Sequence, residues 1–225
     1  MKAITKYWFL EDFNLLKKIG RLNMMKICEV LEMENIEKGK PIKLKEKHNN
    51  SVFFLKRGSV KIVNTTNDTV KYIVKRGNIF GELALFDKEV AAQEVAYAIE
   101  DCIICYIESK QMEELMQKHT SLKNGVLKVY GLRIKKLERR LHDLLYKDSP
   151  TRIKEFITDF IDEFGEIDET GRLVAKNLLS HREIANLTNT SRQTVSNVLS
   201  TMRKKGIINY DMKSISINKP QYLKK

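Results

Sequence analysis

Hydrophobic spacing changes character along the chain. Up to about residue 32 the apolar positions Leu15, Leu16, Ile19, Leu22, Met25, Ile27, Val30 and Leu31 predict amphipathic helix. From Met33 to about Ile107 the pattern becomes short β-rich runs: Pro41–Leu44, Val52–Lys56, Ser59–Val63, Val70–Val74, Glu94–Ile99 and Ile103–Ile107. Turn signals lie between them at Gly39-Lys40-Pro41, His48-Asn49-Asn50, Asn64 to Asp68 and Gly77-Asn78. Runs at this spacing predict an antiparallel sandwich or barrel, of jelly-roll or cupin-like form. Helical periodicity then returns. Ser109 is placed to cap a short helix ending near Lys118, and a long helix follows from about Ser121 to Tyr146.

On that long helix Leu127, Tyr130, Ile134, Leu137, Leu141 and Leu144 step by three and four residues, as in a coiled-coil seam, and predict a dimer interface. A second stripe, Leu122, Val126, Val129 and Leu132, is suited to packing on the β-domain. The competing reading is a single helix buried against its own domain. Lys135, Lys136, Arg139 and Arg140 read as its solvated face. At Lys147-Asp148-Ser149-Pro150, Ser149 as N-cap and Pro150 at the first helical position start a new helix, with Ile153, Phe156, Ile157, Phe160 and Ile161 inward. The predicted organisation is therefore α+β. A β-domain spans residues 1–120, a dimerisation helix and hinge 121–147, and a third region 148–225.

The third region carries the chemistry. Ser180 and Glu183 form an S-x-x-E capping box. Ile184 and Leu187 give an apolar face, and Ala185 is small enough for a helix to cross closely. Asn189 tolerates the left-handed backbone of a tight turn. Ser191 can cap a second helix, whose buried stripe is Val195, Val198, Leu199 and Met202. Its other face shows Arg192, Gln193, Thr194, Ser196 and Asn197. Arginine suits guanine, and glutamine or asparagine suits adenine. Arg203, Lys204 and Lys205 follow, and Gly206 stops the helix. Two short strands, Ile207 to Tyr210 and Ser214 to Ile217, read as a wing. Together this is a winged helix-turn-helix.

Charge supports a polyanionic partner. The net charge is +12. Residues 148–171 hold two basic and eight acidic residues, net −6, whereas residues 172–225 hold eleven basic and two acidic, net +9. The positive excess therefore sits on the helix-turn-helix and wing, where Arg182, Arg203, Lys204 and Lys205 are candidate phosphate contacts. The chain shows no secretion-signal pattern and no apolar run long enough to span a membrane, so a cytoplasmic protein with no membrane partner is expected. Three cysteines do not suggest a disulfide framework. Cys102 and Cys105 are separated by an odd number of positions on a strand, which points them to opposite faces rather than to one metal. With His48 alone in the β-region, a metal-dependent enzyme lacks its ligands. No catalytic residues, metal site or cofactor are expected.

These features together resemble the Crp–Fnr family of bacterial transcription regulators. The resemblance covers nearly the whole chain and is carried by Ser180 to Ile208, Asp148 to Ile153, and Gly77-Asn78-Ile79-Phe80-Gly81-Glu82-Leu83-Ala84-Leu85, which looks like the family's phosphate-binding cassette. It implies a homodimer on a near-palindromic double-stranded DNA site, with RNA polymerase as a possible further partner. It also implies that an effector in the β-domain can control the recognition helices. The matching effector positions are Gly81, Glu82, Leu83, Ala92, Gln93, Leu137 and Glu138. Cyclic-nucleotide binders place an arginine, usually followed by serine or threonine, where Ala92 and Gln93 stand, and hydroxyl groups on the long helix where Leu137 and Glu138 stand. The expectation is a regulator not controlled by cyclic AMP, its effector unknown. On that reading Gly81-Glu82-Leu83 is a structural turn of the β-domain. The alternative is a cyclic-nucleotide or other small-molecule sensor module with effector-gated DNA binding.

Overall fold

The computed structural model describes residues 10, 13, 16, 20–42, 51–85 and 94–218. Two compact units divide the chain, residues 1–136 and 137–225. In the first, helix α1 (Arg21–Val30) leads into strands β1 (Glu32–Ile36), β2 (Pro41–Ile42), β3 (Ser51–Arg57), β4 (Ser59–Asn64), β5 (Thr69–Lys75) and β6 (Ile79–Phe80). A 3₁₀ turn at Glu82–Leu85 precedes β7 (Glu94–Ala98) and β8 (Cys102–Glu108), followed by helices α2 (Ser109–Lys118) and α3 (Thr120–Tyr146). The strands form two four-stranded antiparallel sheets, ordered β1-β8-β3-β6 and β2-β7-β4-β5. Among the described residues no strand pairing joins them, so the domain is a two-sheet roll and not a closed barrel.

Both faces of the β3–β8 layer are buried. On β3, Val52 and Phe54 join the cluster that includes α1, α2 and the start of α3, while Phe53 and Leu55 face the second sheet. On β8, Cys105 and Ile107 take the first side, and Cys102, Ile104 and Tyr106 the second. Successive side chains of a strand point to opposite faces, so a layer covered twice reads as a continuous apolar run. The two cysteines face opposite ways, as their spacing requires, and all three are buried and outside any disulfide. Strand β1 was not legible in the sequence because it is an edge strand with mostly exposed side chains.

Some helix details correct the sequence reading. In α1 the buried residues are Met24, Ile27 and Cys28, whereas Leu22 and Val30 are exposed; Leu15 and Ile19 lie outside the described residues. Ser109 is not a cap: it is buried in the first turn of α2, and Glu108 takes the N-cap position. On α3, Leu122 and Val126 are buried and Val129 packs against them, but Leu132 is exposed.

The second unit continues with α4 (Ser149–Phe164), β9 (Glu166–Ile167), β10 (Leu173–Lys176), α5 (His181–Thr188), α6 (Arg192–Lys204), β11 (Ile208–Tyr210) and β12 (Ser214–Ile217). Asp148, not Ser149, caps α4, accepting from the Thr151 N–H. The short strands β9 and β10 complete the order β11-β12-β10-β9, so the wing is half of a four-stranded sheet. Ile153, Ile157, Ile161, Val195, Leu199, Met202, Ile208 and Ile215 are buried. Each contributes on the order of 1.5–3 kcal/mol by leaving water.

Gly81 shows how tightly the roll closes before the 3₁₀ turn. Its φ is +74°, and a Cβ there would lie 2.7 Å from the Ser51 carbonyl oxygen and 2.9 Å from the Phe53 ring. Gly81→Ala should therefore lower stability by about 1–3 kcal/mol. Thermal denaturation beside the parent protein measures this, and an unchanged midpoint would contradict the reading.

Candidate nucleic-acid interface and effector pocket

The helix-turn-helix is built from reciprocal caps. The Glu183 N–H donates to Ser180 Oγ (3.3 Å), and the Ser180 N–H donates back to Glu183 Oε2 (2.8 Å). Asn189 ends α5 in the left-handed conformation, with φ 51°. Ser191 Oγ accepts from the Thr194 N–H at 3.0 Å and opens α6. Both hydroxyls, Ser191 and Thr194, are thus engaged at the cap, 2.8 Å apart. Val195, Val198, Leu199 and Met202 are buried on one side of α6. On the other, Arg192, Gln193 and Asn197 are exposed and Ser196 is half-buried. Gln193 Nε2 donates to Asn197 Oδ1 at 3.1 Å.

Eleven residues are close to three helical turns, so Arg203 continues the stripe of Arg192 and Ser196. Lys204 and Lys205 beside it are also exposed, as is Arg182 on α5. Arg203 borders a crevice of about 470 Å³, lined also by Asn177, Ser180, Tyr210, Asp211 and Met212. A hydrogen bond of 2.8 Å between His181 Nε2 and the Tyr210 hydroxyl ties the start of α5 to the wing.

Two arginines that the sequence did not single out brace this motif. Arg152 donates to the carbonyls of Thr188 (3.0 Å), Asn189 (3.1 Å) and Lys147 (2.6 Å). It therefore joins the turn before α4 to the turn between α5 and α6. Arg140 donates to the Asn186 carbonyl at 3.2 Å, and Arg139 pairs with Asp159. Neither is simply solvated, as their sequence positions had suggested.

In the β-roll unit, Glu82 is 0% exposed. Its carboxylate pairs with the guanidinium of Arg133 on α3. Arg133 also donates to the Tyr72 hydroxyl (3.0 Å) and the Ile79 carbonyl (3.3 Å), and stacks over the Tyr72 ring at 4.6 Å. The Tyr130 hydroxyl donates to the Glu82 backbone carbonyl at 2.6 Å. Glu94, also buried, pairs with Lys71. Gly81 and half-buried Leu83 flank Glu82; Ala92 and Gln93 lie outside the described residues. Leu137, 64% exposed, and exposed Glu138 stand further along α3. The α3 groups at Glu82 are Tyr130 and Arg133. Tyr130 thus turns inward, away from the expected seam.

Residues 33–119 match the cyclic nucleotide-binding domain family, and residues 151–225 match the Crp-like helix-turn-helix domain family. The chain belongs to the Crp–Fnr family. Its β-roll is a cyclic-nucleotide-binding-like sensor domain joined to a DNA-binding domain, and Crp–Fnr proteins are transcription regulators rather than enzymes. Among curated relatives, the cAMP-activated global transcriptional regulator Vfr of Pseudomonas aeruginosa is 24% identical over 74% of this chain and 80% of its own. The anaerobic regulatory protein of Bacillus subtilis is 22% identical over 77% and 74%. Among solved structures, FixK2 from Bradyrhizobium japonicum shares the fold with a TM-score of 0.72 at 16% identity, over 85% of this chain and 94% of that one. A CooA variant from Carboxydothermus hydrogenoformans gives 0.67 at 22% identity, over 87% of each.

Set beside the Crp–Fnr pattern, Arg133 is the residue the sequence reading missed. Its signal was present: Leu122, Val126, Val129, Tyr130 and Arg133 follow one helical stripe. An arginine in a buried stripe needs a buried partner. Burial pushes the Glu82 carboxyl above its usual range, and Arg133 opposes that shift. A carboxyl with a raised folded-state pKa favours folding below its unfolded value, and loses that advantage as pH rises through the folded value. Arg133→Met removes the opposing charge, so Glu82 should rise further. The variant should lose about 3 kcal/mol at pH 8 and recover part of it at pH 5. Urea denaturation at both pH values tests this; equal losses would show that Glu82 is not a buried charge left unpaired.

Proposed function

We propose that the protein is a homodimeric, sequence-specific transcription regulator that binds a near-palindromic DNA site without cyclic AMP. The observation that carries this reading is the division of α6. One face is sealed into the core, while Arg192, Gln193, Ser196 and Asn197 stand together on the other. Those side chains are suited to base edges in the major groove. Arg182, Arg203, Lys204 and Lys205, with the Ser191 and Thr194 hydroxyls at the helix start, are placed to contact phosphates and to set the register. The wing crevice at Arg203 extends that surface. No helix among the described residues is long and apolar enough to cross a membrane, and the protein acts in the cytoplasm. RNA polymerase is a further partner if it activates.

The pocket chemistry supports ligand independence. A cyclic nucleotide brings a phosphate anion that needs a free cation, and a ribose that needs a free carboxylate. Glu82 already holds Arg133, and Glu94 holds Lys71. Among the described residues each of these carboxylates therefore already has a cation of the same chain beside it. The second reading, an effector-gated sensor, is favoured by the family match and by the relative Vfr, which is activated by cAMP.

Dimerisation through α3 is supported by its apolar exposure. Leu127, Ile134, Leu137, Leu141 and Leu145 are each more than half exposed, and Leu144 is half-buried. Leu127, Ile134 and Leu141 recur every seven residues, with Leu145 four further on. That is the spacing by which two helices bury one seam.

Selection from a randomised duplex pool at fixed salt, with and without cyclic AMP, tests the function. One near-palindromic motif should emerge from the protein alone and stay unchanged with the nucleotide. Recovery only with cyclic AMP would overturn ligand independence. On the selected duplex, Arg192→Ala should cost on the order of 1–3 kcal/mol and relax base choice at one position per half-site. Separately, the double variant Ile134→Glu/Leu141→Glu should sediment as a monomer where the parent sediments as a dimer. A variant that remains dimeric would place the interface elsewhere.

A further inference from the structure

Resting on the base-reading role proposed for α6, we infer that Asn197 is a positioning residue that sets which base Gln193 reads. Gln193 and Asn197 stand four positions apart on the exposed face of α6, where side chains of a helix meet. Gln193 Nε2 donates to Asn197 Oδ1 at 3.1 Å. That bond decides which way round the glutamine amide is held. One Nε2 hydrogen is used, which leaves Gln193 with its Oε1 acceptor and one N–H side by side. This pair matches the N6 donor and N7 acceptor of adenine. The opposite orientation, with Oε1 accepting from Asn197 Nδ2, would leave Gln193 with two N–H donors and match the O6 and N7 acceptors of guanine.

A free glutamine amide can turn to suit either purine. A glutamine tied to the Asn197 acceptor can do so only by losing the tie or by turning the Asn197 amide with it. The adenine preference is therefore set by the acceptor at position 197, and an aspartate there should preserve it because a carboxylate can only accept. The bond also immobilises a flexible side chain before DNA arrives, so less ordering remains for the complex to impose.

The test is selection of one randomised duplex pool, at one salt concentration, by the parent, Gln193→Ala, Asn197→Ala and Asn197→Asp. The base position relaxed by Gln193→Ala is the one Gln193 reads. There the parent should prefer adenine over guanine by about tenfold or more. Asn197→Ala should reduce that ratio to about threefold or less, with guanine gaining, and Asn197→Asp should keep it near the parent value. Asn197→Asp should still bind less tightly to all duplexes, because it adds a negative charge near phosphates. An adenine ratio unchanged in Asn197→Ala overturns the inference. So does an Asn197→Asp ratio as low as that of Asn197→Ala, since the asparagine would then act through its own donors. A Gln193→Ala profile identical to the parent's would instead defeat the base-reading role of Gln193.

Discussion

A carboxylate removed from water has to meet a cation or take up a proton, and the β-roll unit is organised around that demand at Glu82. The residue follows Gly81, whose backbone comes too close to Ser51 and Phe53 to carry a side chain. The chain therefore turns inward there and delivers Glu82 to the interior. The answering charge comes from Arg133, on an element fifty-one positions later. Arg133, Tyr72, Tyr130 and the Ile79 carbonyl form one connected set with Glu82. With Leu122 and Val126 buried in the same unit, the set decides which face of α3 turns inward. The exposed apolar stripe from Leu127 to Leu145 is the other side of that decision.

A second constraint governs the winged unit. A recognition helix can be polar on one face only if the other holds it in place. Val195, Val198, Leu199 and Met202 do this from below, and the caps at Ser180 and Ser191 fix where α5 and α6 begin. The last turn of α5 and the residue after it end in carbonyls at Thr188 and Asn189 that helix hydrogen bonding alone leaves short of donors, and the Asn186 carbonyl has only a long bond from the Asn189 N–H. Arg140 and Arg152 supply them. One guanidinium with several donors in a fixed fork can bridge carbonyls on separate turns, which a lysine cannot. The motif is rigid because charged side chains outside it satisfy its backbone.

How much of this was visible in the sequence follows from the range of each interaction. The caps at Ser180 and Ser191, Asn189, the buried stripe of α6 and the two wing strands are set by residues within a few positions of each other, and all were legible. The alternation on β3 and β8 was legible as apolar runs, though not as two cores. Strands β1, β6 and β9 were not, because edge position or two-residue length leaves no period to count, and β10, an inner strand of four residues, is little longer. Arg133 was hidden for a different reason. Its role depends on Glu82, Tyr72 and Ile79, which only the folded sheets bring beside α3. Arg140 and Arg152 likewise answer carbonyls more than thirty positions away.

The same distance argument bears on what a shared fold implies. The roll, the 3₁₀ turn and the helix-turn-helix belong to the Crp–Fnr plan, and a site grafted on a fold need not keep the plan's ligand. Gly81 would be retained for its backbone alone, whatever binds nearby. Glu82 would be retained by any partner able to neutralise it. Here the partner is a side chain of the same polypeptide, present at unit stoichiometry and with no need to be captured from solution. A free ligand must share that carboxylate with an internal cation that is always in place. On the reading proposed above, a small molecule acting on this β-roll would differ in chemistry from a cyclic nucleotide, because Glu82 and Glu94 each already have a cation of the same chain beside them.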